Sequence, residues 1–148
     1  MHFLAYAAMM EGRYDTAIKA ARRLESRIPP EFLREYVKVA DAFMPTVLHV
    51  MIRFGKWEEI LNEPAPPEWR MLSRAQWQYA RTIALSALGR LDEARSELDQ
   101  FDAVVAAMGD DWFVGNNPAK MILDLARGMA SGELAYHSGD YDNAYTIL

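Results

Sequence analysis

The chain has no cysteine. That excludes a disulfide framework, a thiolate metal site and a thiol nucleophile. It is short of basic residues, with 16 Lys and Arg against 21 Asp and Glu and a net charge of −5. An acidic balance argues against a general nucleic-acid binder, which needs a basic face. Long hydrophobic runs are also missing. The longest spans Phe3 to Met10, far short of the roughly 20 residues a membrane span needs. Only Met1 and His2 precede it, whereas an export signal opens with cationic residues. A membrane partner is therefore not expected, and the expected location is the cytoplasm. What is present is apolar: 51% of the residues are hydrophobic, too many for a disordered chain. A length of 148 residues suits one domain or a short array of repeats.

The eight glycines fall in a pattern. One motif recurs four times: Gly, a polar residue, a large apolar residue, two polar residues, then a small or aliphatic residue. The copies are Gly12-Arg13-Tyr14-Asp15-Thr16-Ala17, Gly55-Lys56-Trp57-Glu58-Glu59-Ile60, Gly89-Arg90-Leu91-Asp92-Glu93-Ala94 and Gly139-Asp140-Tyr141-Asp142-Asn143-Ala144. Glycine ends a helix where the chain must turn left-handed. Acidic residues behind it suit the positive end of the next helix. The small residue lets two helices approach closely. Apolar residues at spacings of three and four precede every copy, as in Phe3–Met10 and Val47–Phe54, and no stretch alternates long enough to predict a strand.

Proline marks the breaks. Pro29-Pro30 closes the first hairpin, and Glu31 to Phe43 reads as one further helix before Pro45. Pro64, Pro66 and Pro67 cut the helix after Trp57 to about two turns. Pro67-Glu68 opens a helix that runs to Leu88, Gly109 to Asn117 is a loop, and Pro118 restarts a helix. The expected units are hairpins at about 1–28, 44–63, 68–108 and 118–148, with an extra helix at about 31–43.

The Gly-x-aromatic-x-x-Ala turn between amphipathic helices resembles the tetratricopeptide repeat. The 34 residues from Gly55 to Gly89 match that family's period. Pro29, 17 residues after Gly12, stands where the family often ends its unit. Gly132, seven before Gly139, matches its small residue in the first helix. Ile60 in place of Ala, Arg81 in place of Leu, and two long intervals depart from the pattern. The resemblance is strongest to bacterial members. It implies an all-α fold, an α-α superhelix of antiparallel hairpins with degenerate repeats and insertions.

Such arrays line a concave groove with the first helix of each hairpin. The resemblance places His2, Tyr6, Met9 and Met10 there from the first copy, and His49, Ile52 and Arg53 from the second. The third contributes Gln76, Tyr79, Ile83 and Ser86, and the fourth Met129, Glu133, Tyr136 and His137. This mixture suits a peptide or helix, although any one of these residues can instead pack against its neighbours. The expected function is a non-catalytic interaction scaffold for a protein or peptide partner, with no cofactor. The alternative is a small-molecule or metal-binding helical domain, or an enzyme, that uses His2, His49, Glu133, Tyr136 and His137. In that reading Glu133 and His137, four apart on one helix face, are joined by His2 or His49 as ligands. No phosphate loop, Gly-x-Ser-x-Gly elbow or His-Glu-x-x-His helix is present.

Charge is uneven: residues 1–40 carry +2, residues 41–88 are neutral and residues 89–148 carry −7. Neither terminus reads as a polar capping helix of the kind arrays use. Two expectations follow: a piece of a longer array, or a homodimer formed through exposed array ends.

Overall fold

The computed structural model describes all 148 residues. The chain is all-α apart from one small hairpin. Helices α1 (His2–Met10) and α2 (Tyr14–Arg27) form the first helical hairpin. Three short pieces follow: α3 (Pro30–Glu35), α4 (Val37–Ala40) and a 3-10 turn, Asp41–Phe43. Helices α5 (Thr46–Arg53) and α6 (Trp57–Asn62) form the second hairpin, and α7 (Met71–Ala87) and α8 (Leu91–Ala107) the third. Strands β1 (Phe113–Val114) and β2 (Asn117–Pro118) pair antiparallel, with Phe113 opposite Pro118. Helices α9 (Ala119–His137) and α10 (Tyr141–Ile147) complete the chain. Consecutive first helices touch: α1 packs on α5, α5 on α7, and α7 on α9.

Every hairpin turns in the same way. Gly12, Gly55, Gly89 and Gly139 have φ of 72°, 64°, 75° and 85°, the left-handed region where a side chain is strained. The residue after each glycine donates its N–H back into the preceding helix, from Arg13 to Ala8 (2.8 Å), Lys56 to Met51 (2.9 Å), Arg90 to Leu85 (2.9 Å) and Asp140 to Ala135 (3.0 Å). These bonds satisfy carbonyls that a helix end would otherwise leave unpaired. The last residue of each motif, Ala17, Ile60, Ala94 or Ala144, is fully buried. It stands where the second helix leans on the first.

Between hairpins, side chains fix the connections. Asp41 is 0% exposed. Its carboxylate accepts from the Ser73 N–H (2.8 Å), the Ser73 hydroxyl and Arg70 Nε (2.9 Å). A buried carboxylate is tolerated only when paired and fully hydrogen-bonded. Here it also sits at the positive end of α7. The proline connection is held differently. Arg74, Trp77 and Arg81 recur along one side of α7. They donate to the backbone carbonyls of Pro66 (2.9 Å), Glu63 (3.0 Å) and Leu61 (3.1 Å).

Three expectations are corrected. The helix placed at 31–43 is broken at Tyr36 (φ −110°, ψ 27°) and tightens to a 3-10 turn. That geometry delivers the Asp41 carboxylate to α7. The helix placed from Pro67 begins at Met71, because Asp41 caps it there, and Pro67–Arg70 closes as a turn with Arg70 N–H on the Pro67 carbonyl (3.0 Å). The loop at 109–117 contains strand pairing around Gly115 (φ 58°), too short to leave an alternating signal.

Two predictions follow from these joints. Around Gly89 an added Cβ meets nothing within 4 Å, so Gly89→Ala carries only the backbone cost, about 1–2 kcal/mol. A thermal melt reads this as a drop of about 2–4 °C per kcal/mol. Asp41→Ala strands Arg70 and the Ser73 N–H and destabilises by about 3–5 kcal/mol, which urea unfolding measures.

Candidate functional site

The mapped positions fall on four helices, and the fold brings part of them together. On α1, the His2 ring lies 4.7 Å from the Tyr6 ring. The Tyr6 hydroxyl is 2.8 Å from His49 Nδ1 on α5, and His49 Nε2 is 3.3 Å from Gln76 Oε1 on α7. An amide oxygen only accepts, so His49 carries its proton on Nε2 and Nδ1 accepts from Tyr6. One turn beyond Gln76, the Tyr79 hydroxyl reaches Met129 Sδ on α9 at 3.8 Å. Side-chain contacts thus link α1 to α5, α5 to α7, and α7 to α9.

Burial is the first cause of every pKa shift along the strip. Burial lowers the His49 pKa from its ordinary value; the Gln76 bond opposes this and the neighbouring His2 adds to it. His2 is also lowered, by burial and by the adjacent N-terminal charge. Burial raises Tyr6. Tyr79 is raised by burial and by the charge of Glu133. Two imidazoles without charge and two phenols with their protons make a polar but uncharged surface.

The other mapped residues divide by burial. Met9, Ile83 and Ser86 are buried, and Ser86 donates to the Thr82 carbonyl (2.8 Å). Ile52 packs partly buried against both main core clusters. These residues shape the surface from beneath. Met10, Arg53, Met129 and Tyr136 are exposed, and Arg53 has no acidic partner within ion-pair distance. His137 stands apart from the other histidines, with Nε2 3.6 Å from Glu133 Oε2. His2 and His49 therefore share Tyr6, while His137 shares Glu133, and no three His, Asp or Glu residues gather as a metal would require.

One contact was missed from the sequence. Phe43 lies edge-on to His2 at 5.5 Å, so the segment before α5 reaches the head of the strip. The signal was a second apolar spacing, Phe32, Tyr36, Val39 and Phe43, whose side chains remain exposed. Trp112 is buried in the core with Phe101, and Phe113 is partly exposed.

A cleft of about 430 Å³ lies elsewhere, lined by α2, the start of α5, the proline connection and α7. It shares no residue with the strip. Its charged groups are paired internally, Arg22 with Glu63 and Arg70 with Asp41. No helix in the chain is long and apolar enough to cross a membrane.

The fold and this strip define an all-α stack of helical hairpins with a polar, uncharged seam across its first helices. No family model, curated protein or solved structure matches the chain.

The seam makes a pH prediction. A lowered His49 pKa in the fold means that the unfolded chain binds more protons below its ordinary value of 6.5. Stability from this group is complete above that pH and declines as pH falls through it. The melting temperature of wild type should drop more between pH 7 and 5 than that of His49→Gln. Equal drops would show that His49 ionisation is not coupled to folding.

Proposed function

We propose that the chain is a non-catalytic interaction scaffold of tetratricopeptide-like architecture. Its α1–α5–α7–α9 face binds a peptide segment of a partner protein. The observation that supports this reading is a pair of side-chain links, from Tyr6 through His49 to Gln76 and from Tyr79 to Met129, that join α1 to α5 and α7, and α7 to α9. Each link joins positions on neighbouring first helices, which supports reading them as parts of one face. The Tyr6–His49–Gln76 bonds hold these side chains in place in the free chain, which keeps the ordering cost of binding low.

The exposed residues then supply discrimination. Arg53 offers an unpaired cation on α5, and Glu133 an anion on α9, with Met10, Met129 and Tyr136 as apolar and aromatic contacts. Aromatic, Met and Arg side chains are those enriched in protein interfaces. Opposite charges on different helices favour one direction of an extended or helical peptide.

Selection of a displayed peptide library on the wild-type chain tests this. Winning peptides, measured by fluorescence anisotropy, should lose about tenfold or more in affinity for Arg53→Glu and for Tyr136→Ala, as residues at a contact centre do. They should bind Arg95→Glu, a change on α8, as they bind wild type. Equal binding to all three variants would remove the proposed face from consideration.

A further inference from the structure

Two apolar faces of the stack remain uncovered, one on the first hairpin and one on the last. On α1, Phe3, Ala7 and Met10 point away from the buried Ala5, Ala8 and Met9. Phe3 is 87% exposed. Beside them Leu4 overhangs a cleft of about 230 Å³ between α1 and α2, whose wall includes Lys19 and Arg23. Neither cation has an acidic partner within ion-pair distance, although eight other Lys and Arg residues pair with acids on the surface.

On α9, Met121, Leu125 and Met129 recur every fourth residue, opposite the buried Leu123, Ala126 and Ala130. Leu125 is 67% exposed. The charges around this stripe are of the other sign. Lys120 and Arg127, the cations of α9, are taken by Asp110 and Asp102. Asp124 has no basic partner, and residues 89–148 carry −7 in all. One face is apolar with unpaired cations beside it, and the other is apolar with an unpaired anion, Asp124, on the same helix.

We infer that these two faces are an interface between copies of this chain: the α1–α2 face of one copy seats on the α9 face of the next. Stacking of hairpin on hairpin already builds the interior of the molecule, through α1 on α5, α5 on α7 and α7 on α9. A second copy repeats that packing with matched apolar surface and opposite charge. The two faces differ, so the contact is heterologous. It extends head to tail and does not close as a symmetric pair. Met10 and Met129 border both this interface and the proposed peptide face, whereas Phe3, Leu125, Lys19 and Arg23 belong to the interface alone.

The absence of native cysteine makes the test direct. Phe3→Cys and Leu125→Cys, both at exposed sites, are prepared separately and treated with a short bismaleimide, alone and mixed. The mixture should give about tenfold more crosslinked dimer than either variant alone, as a heterologous contact requires. Sedimentation should show average mass rising with concentration and falling in 1 M salt, where charge attraction is screened. Leu125→Glu should abolish the rise while circular dichroism stays unchanged, and Tyr136→Ala should leave it intact. Crosslinking of either variant alone as readily as the mixture, or a monomer at every concentration, would overturn the inference.

Discussion

The structure depends on a repeated close approach. Each hairpin turns on one left-handed glycine, and the second helix then leans on the first through a residue with no exposed surface. In three copies that residue is alanine, which adds almost no width between the helices. The turn fixes direction and the alanine fixes distance, so the hairpins present similar flat sides to one another. Stacking follows, and with it the alignment of α1, α5, α7 and α9. The polar seam exists because those four helices are neighbours, although they lie far apart along the chain.

What the hairpins leave undetermined is how each joins the next, and here charge does the work of geometry. Asp41 spends the desolvation of a carboxylate to satisfy a backbone N–H, a hydroxyl and a guanidinium together. Burial of this kind is stable only when every partner is present, so it admits one arrangement of the segment before α5 against the start of α7. The clamp on the proline connection works by the same logic with neutral acceptors. Arg81 departs from the apolar position of the repeat pattern. It stacks 4.6 Å over the Trp77 ring, pairs with Glu97 at 2.7 Å and holds the Leu61 carbonyl. An apolar residue there would leave that carbonyl and Glu97 without this donor.

This division explains what was legible in the sequence. Glycine turns and helical spacings are local, and they gave the hairpins with accurate turns. The start of α7 is not local. Its cap comes from Asp41, 29 positions before Arg70 in the chain, so the proline at 67 looked like the better helix start. Tyr36 breaks the segment at 31–43 for a tertiary reason, with no glycine or proline to announce it. For the site, helical spacing placed each first-helix residue on its helix. Its contacts were not legible. That His49 bridges Tyr6 and Gln76, or that His137 keeps to Glu133, depends on how far apart the helices stand.

Under the proposed peptide-binding reading, the seam constrains how recognition works on this face. Its buried members have already used their hydrogen-bonding capacity on one another, so a ligand gains little by replacing those bonds. Uncharged histidines and tyrosines in a desolvated strip repel neither sign of peptide and impose no ionic selectivity of their own. Selectivity then has to come from groups that are exposed and unspent, of which Arg53 is the clearest. A floor that is neutral and rigid, bordered by one free cation, Glu133 and several apolar side chains, separates two tasks. The floor sets shape through packing, and the border sets orientation through charge. On the proposed peptide-binding reading, substitutions in the border alter which peptide is held, whereas substitutions in the floor alter the face itself.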